Sequence, residues 1–155
     1  MTEQTRKVFM KRTASIYSGM KKRPEAPREF PFMLEDFRVW VLGTMHNDDT
    51  MRCHYSHRLL TVDDFSVDHL WPVSGGGDFG FGNIVICSEA ENLRKGDIDP
   101  NAYSRLREFV NGLMPTAQES IWRRLEVGDV QRGAWWRREN KKRKENQMKV
   151  VRHAR

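Results

Sequence analysis

Two adjacent polar residues, Asp68 and His69, close an apolar run, and Asn83 and Asn92 follow at intervals of fourteen and nine residues. Carboxylate and amide oxygens suit a hard cation such as Mg²⁺, which keeps several waters that a substrate phosphate can displace. An imidazole has an ordinary pKa of about 6.5, so near neutral pH it can accept a proton from water. If Asp68 and Asn92 held one divalent cation beside His69, this set could hydrolyse a phosphodiester.

The elements around these residues decide whether they meet. The segments HRLLTV (57–62) and FSVDHLWPV (65–73) predict two strands joined by a tight turn at 63–64. After the loop SGGGDFGFG, the segment NIVICSEAENLRKGD (83–97) predicts a helix with Asn83 near its N-cap, with Ile84, Val85 and Cys87 turned inward. The expected order is strand, strand, loop and helix, a ββα unit whose helix crosses the hairpin.

Helices are expected on both sides of this unit, which makes the fold class a small α+β protein. PFMLEDFRVWVLG (31–43), NAYSRLREFVNGLM (101–114) and PTAQESIWRRLEV (115–127) have apolar residues at helical spacing. We expect three parts: a basic N-terminal arm (1–28), helical or disordered, a domain (29–130) with its core at about 53–97, and a basic, partly disordered tail (131–155).

The charge of the chain is concentrated at its two ends. Of 155 residues with a net charge of +6, residues 1–28 carry +6, residues 137–155 carry +7, and the middle carries −7. Basic arms suit a polyanionic partner because neutralised phosphates release condensed counterions. The alternative is a pair of solvated tails that keep the protein soluble. The tail residues expected to meet nucleic acid are Arg137, Arg138, Lys141, Lys142 and Arg143.

Other features argue against membrane and secreted classes. No stretch approaches the roughly 20 apolar residues of a membrane span, and no apolar signal segment follows the N-terminus. Two cysteines are too few for a disulfide framework, so a reducing cytoplasm is expected.

The ordered stretches VDHLWPVSGGG, GNIV and ENLRKGD resemble the HNH endonuclease motif. The resemblance covers about residues 53–97, and the flanking helices are similar to those of bacterial and phage HNH proteins. It implies a ββα-metal (His-Me finger) fold and cleavage of DNA, most simply double-stranded DNA, with Mg²⁺ or Mn²⁺. The expected setting is a bacterial cytoplasm, with a phage or homing role possible and nicking and double-strand cleavage both open.

The resemblance also implies a role for each residue. His69 matches the general base that activates water, and Asp68 matches the first metal ligand. Asn83 matches the asparagine that braces the loop and helps orient the histidine. Asn92 stands where the family has its closing His or Asn, the second metal ligand.

Many HNH proteins add a structural zinc held by two Cys-x-x-Cys pairs. Here these positions hold Cys53 with Ser56 and Ser88 with Glu91, so three of the four are not cysteine. The expectation is that the zinc is lost and that Cys87 is a small core residue. A rescued site would use Cys53, His54 or His57, and Cys87.

Two further interpretations stay open. The chain could be a nucleic-acid-binding module that kept the fold and lost turnover, or a basic protein directed to RNA. Arg94 and Lys95, at the end of the predicted helix, could contact phosphates or form an ordinary exposed helix end.

Overall fold

The computed structural model describes residues 1–131 and residue 138. Within these residues, five α-helices and two small antiparallel sheets give the α+β class that the sequence predicts. The elements are α1 (Glu3–Lys21), α2 (Leu34–Gly43), β1 (Met51–Arg52), β2 (Leu59–Leu60), β3 (Phe65–His69), β4 (Ile84–Ser88), α3 (Glu89–Lys95), α4 (Pro100–Asn111) and α5 (115–131).

The ββα unit is built from β3, β4 and α3. Strands β3 and β4 pair antiparallel over their full lengths, from Phe65 opposite Ser88 to His69 opposite Ile84. The prediction that the two strands before the glycine-rich loop form the hairpin was wrong, because β2 pairs with β1 instead. The long loop lies between the two strands of the hairpin, not after it.

The prediction of one helix over 83–97 was also wrong. Residues Ile84–Ser88 form β4, and the helix begins only at Glu89. Three β-branched residues in succession at 84–86 favour a strand, since their side chains are stiff and pack well on a pleated surface. The Ser88 hydroxyl then accepts a hydrogen bond from the Glu91 N–H at 3.2 Å and caps α3. Gly96 caps the other end of the helix.

The helix within the basic N-terminal arm packs onto the core. Phe9, Thr13 and Met20 of α1 are buried, and the two apolar residues belong to the same cluster as β3 and β4. The Arg12 guanidinium donates through Nε to the carbonyl of Phe65 in β3 at 2.9 Å, and the Tyr17 hydroxyl donates to the carbonyl oxygen of residue 32 at 2.9 Å. Helix α1 is therefore fixed against the strand that carries Asp68 and His69.

A second, smaller core lies beyond α3. Tyr103 and Val110 of α4 pack with Trp122 of α5, and Tyr55 contacts both clusters. The amphipathic helices expected after residue 100 are both present. No helix within the described residues is long and apolar enough to cross a membrane.

Candidate active site

One cavity of about 380 Å³ opens where β3 ends. It is lined by Asp68 and His69 from β3 and by Asn92 from α3. Lys22 and Arg23, which follow α1, line it as well. The structure thus brings together three of the four polar residues that the sequence singles out, and it adds two basic residues from the N-terminal arm.

Asp68 is held firmly inside the protein. The residue is 5% exposed, and its Oδ2 accepts a hydrogen bond from the Tyr55 hydroxyl at 2.6 Å. The Lys95 ammonium lies 3.0 Å from the same oxygen and donates to the His69 carbonyl at 2.7 Å. Burial raises the pKa of Asp68, while the charge of Lys95 and the hydrogen bond from Tyr55 oppose that rise. The carboxylate therefore has a fixed position and a fully buried counterion.

His69 lacks the partners that Asp68 has. The residue is 3% exposed, and neither Nδ1 nor Nε2 has a hydrogen-bond partner among the described residues. The Phe79 ring lies edge-on to the imidazole with the ring centroids 4.9 Å apart. Burial, together with the positive charges of Arg23 and Lys95, lowers the pKa of His69 to about 4. The imidazole is therefore neutral near pH 7 and has a nitrogen that can accept a proton.

Asn83 braces the loop between β3 and β4. Its side-chain oxygen accepts from the Trp71 N–H at 2.9 Å, and its amide nitrogen donates to the carbonyls of Trp71 at 3.0 Å and Asp78 at 2.8 Å. A Cβ at Gly77 would lie 2.0 Å from the Trp71 carbonyl oxygen, so the loop needs glycine there. No hydrogen bond between Asn83 and the His69 ring occurs in the described part of the chain, and Asn83 acts on the site through the loop.

Asn92 connects α3 to β3. Its amide nitrogen donates to the carbonyl of Val67 at 3.3 Å and lies 3.4 Å from the Ser66 hydroxyl. Because the nitrogen faces the strand, the side-chain oxygen is the atom that Asn92 can offer to a cation.

The donor set of this cavity fits a hard divalent cation. Asp68 and Asn92 offer a carboxylate and an amide oxygen to one space. Across residues 1–131 and 138, no three His, Cys, Asp or Glu side chains gather to hold a metal ion. A cation held by Asp68 and Asn92 would keep several waters, as Mg²⁺ commonly does.

The two basic residues at the end of α3 have partners within the protein. Lys95 is completely buried against Asp68, whereas the sequence suggested either a phosphate contact or an exposed helix end. The Arg94 guanidinium pairs with Glu126 at 2.7 Å and lies 5.2 Å from the Trp122 ring centroid. Both side chains join α3 to its surroundings because their charges face buried or half-buried carboxylates.

The predicted tail contacts fall almost wholly beyond the described residues. Arg138 is described, is helical and is exposed. The other tail residues, Arg137, Lys141, Lys142 and Arg143, lie outside the described part of the chain.

The residues considered for a zinc site are divided between core and surface. Cys53 and Cys87 are free thiols, both fully buried in the main cluster. Burial raises the pKa of the Cys87 thiol. His57 is exposed and has a positive φ of 57°, at the turn between β1 and β2.

Sequence reasoning missed Tyr55, Lys22 and Arg23, and it did not predict that Lys95 pairs with Asp68. Tyr55 and Lys95 lie within or beside the motif, and the Lys-Gly ending was a usable signal that a lysine stands near the acid–histidine pair. For Lys22 and Arg23 the sequence indicated nothing beyond their charge, because only the packing of α1 brings them to the cavity.

Comparison with protein-family models gives one match for this chain. Residues 53–101 match the model described as HNH endonuclease, and this range contains Asp68, His69, Asn83 and Asn92. Within residues 53–101 the chain is therefore similar to HNH endonucleases. The family indicates a nuclease that acts on nucleic acid and, in general, uses a divalent cation. A search of curated proteins found no match.

Proposed function

We propose that the protein is a divalent-metal-dependent endonuclease that hydrolyses DNA phosphodiester bonds, with His69 as the general base. The observation that carries this proposal is the imidazole of His69, which is buried, has no hydrogen-bond partner in the part of the chain that the structure describes, and shares its cavity with Asp68 and Asn92. An unpaired buried polar group costs stability, typically about 1–3 kcal/mol, so its presence is typical of a functional site.

Each residue of the site has a role that follows from its chemistry. A ring nitrogen of His69 takes the proton from the attacking water, and the lowered pKa keeps that nitrogen unprotonated at neutral pH. Asp68 and Asn92 would hold the cation, which when bound supplies stabilisation of the negative charge on the phosphate and the leaving oxygen. Asn83 keeps the loop beside His69 in place through three hydrogen bonds with the backbone.

A second candidate function is a DNA-binding module without turnover. One observation favours it: the Lys95 ammonium already lies 3.0 Å from Asp68 Oδ2 and compensates its charge. In an active enzyme the Asp68 carboxylate must pair with Lys95 and also bind the cation. In a binding module it pairs with Lys95 alone.

The experiment that separates the two uses supercoiled plasmid with Mg²⁺ or Mn²⁺, matched reactions with EDTA, and the variant His69→Ala. An enzyme nicks or linearises the plasmid only with the metal, loses that activity by at least about 100-fold in the variant, and keeps its DNA affinity. A binding module retains the plasmid in a gel shift and leaves it intact in every reaction.

Two additional measurements complete the design. Mn²⁺ binding, followed by electron paramagnetic resonance, should weaken in Asn92→Ala but not in Asn101→Ala, an exposed asparagine on α4. A parallel binding titration with duplex RNA and duplex DNA tests the substrate class, and tight RNA binding with no metal-dependent cleavage of DNA would contradict the proposal.

A further inference from the structure

We infer that Lys22 and Arg23, at the C-terminal end of α1, form a phosphate-binding subsite for the DNA strand that enters the cavity. This inference rests on the proposed function and adds a substrate contact outside the HNH motif, which begins at residue 53. The ligand is a backbone phosphate near the one that is cleaved.

The first support is the position of the two side chains. Both residues line the cavity that contains Asp68, His69 and Asn92. Within the described part of the chain, they are the lysine and the arginine of a lining that also contains the carboxylates of Glu25, Asp68, Asp97 and Asp129. A phosphate that enters the cavity can pair with these two positive charges.

The second support is their availability. Lys22 and Arg23 are exposed, and neither side chain makes a hydrogen bond or ion pair within residues 1–131 and 138. The other basic residues near the site have partners, as Arg94 has with Glu91 and Glu126. An exposed lysine and arginine without partners can neutralise phosphates and release counterions.

The third support is the rigid base beneath them. Helix α1 is held by the hydrogen bond from Arg12 to the backbone of β3 and by the burial of Met20, two residues before Lys22. The Arg23 backbone is fixed in a turn, with its N–H donating to the Met20 carbonyl at 3.2 Å and its carbonyl accepting from the Ala26 N–H at 3.1 Å. The backbone that carries the two side chains therefore keeps a set position relative to β3.

Basic residues at a helix C-terminus also complement the helix dipole, so a test has to separate stability from binding. The test compares K22Q/R23Q with R123Q/R124Q, an adjacent pair of exposed arginines on α5 that does not line the cavity. Both double variants remove two positive charges. All proteins carry His69→Ala, and binding of a fluorescein-labelled DNA duplex is measured in EDTA over a range of salt concentrations.

We expect K22Q/R23Q to bind at least about 10-fold more weakly, and the slope of log affinity against log salt to fall by about 1.8, or 0.9 for each lost phosphate contact. R123Q/R124Q should match its parent in both quantities. The swap K22R/R23K keeps both charges and should restore binding. Thermal unfolding should show a slightly larger loss of stability in K22Q/R23Q, because its two charges complement the helix dipole, and binding is compared at a temperature at which every protein is folded.

The outcomes separate this inference from the proposed function. Equal affinity and equal slope in K22Q/R23Q and R123Q/R124Q would overturn the subsite, whether or not the protein with His69 intact cleaves plasmid. A selective loss of binding in K22Q/R23Q, in a protein that never cleaves, would keep the subsite and reject the nuclease. Absence of DNA binding by the parent protein would overturn both.

Discussion

The two faces of α3 differ in how the polar groups around them are paired. Asn92 and Lys95 face β3, where the His69 ring has no hydrogen-bond partner among the described residues. Glu91 and Arg94 face α4 and α5, where the charged groups are paired. The two environments lie on one helix of seven residues.

The face toward α4 is a closed network. Glu91 is 4% exposed, and its Oε2 accepts from the Tyr103 hydroxyl at 2.8 Å and pairs with the Arg107 guanidinium. Its Oε1 lies 3.2 Å from the Arg94 guanidinium, which also pairs with Glu126. Glu91 stands where the zinc-binding pattern expects a cysteine, so here a carboxylate network joins α3 to α4.

The difference separates stabilisation from reactivity. The groups around Glu91 are satisfied and hold the helix in place, because a buried charge is tolerated only when it is paired. Both ring nitrogens of His69 lack a partner within the described residues, so their hydrogen-bonding capacity is unused. Variants on the two faces should therefore change different quantities.

The largest expected effect on stability belongs to Lys95→Met. This substitution leaves the buried Asp68 carboxylate without its counterion and should lower the free energy of unfolding by about 4 kcal/mol. Urea denaturation measures it, with Lys11→Met, at an exposed lysine of α1, as the control. A loss no greater than that of the control would mean that Asp68 does not need Lys95 as its counterion.

The second largest loss in the free energy of unfolding, about 3 kcal/mol, is expected for Glu91→Gln, because this substitution leaves two arginines facing a neutral amide. DNA cleavage measured well below the melting temperature should stay within about twofold of the parent. Glu108→Gln, at an exposed glutamate of α4, is the matched control. A selective loss of cleavage in the folded Glu91→Gln protein would contradict the separation of the two faces.

Asn83→Ala should cost about 2 kcal/mol, because it leaves buried loop groups unpaired. Hydrogen exchange gives the sharper measurement. The Trp71 N–H, which donates to the Asn83 side chain, should lose protection, whereas the Leu70 N–H, which donates to the Asn83 backbone carbonyl, should keep it. Equal loss at both amides would indicate that the strand ends have separated and not only the loop.

The smallest expected effect is that of Ser88→Ala, about 1 kcal/mol, from the lost N-cap of α3. Because α3 carries both faces, destabilising its first turn should affect them together. Ser88→Asp, which keeps a capping oxygen, should recover most of the loss in thermal unfolding. Failure of Asp to recover any stability would mean that the cap is not the source of the effect.

The sequence was most informative where residue type alone fixes a role. The spacing of Asp68, His69 and Asn92 predicted a shared site, and the structure places all three on one cavity. Gly96 ended α3 as its type suggests. The prediction for the apolar run at 84–88 was wrong because five residues fit a helix face and a strand equally well. The feature that favoured the strand was the succession of three β-branched residues.

Other parts of the site depend on contacts between distant segments. A charged lysine is expected at the surface, and only the position of Asp68 explains why Lys95 is buried. Lys22 and Arg23 reach the cavity because Arg12, Phe9 and Met20 attach α1 to the core. These are tertiary placements, and a local sequence pattern contains no information about them.

The most direct test of the central claim is a crossed measurement of single-turnover DNA cleavage and of unfolding free energy for two variants. His69→Ala should lose at least about 100-fold in rate and change stability by less than about 1 kcal/mol, whereas Glu91→Gln should lose stability and keep its rate. A His69→Ala protein that is folded, binds DNA and cleaves at the parent rate would contradict the account.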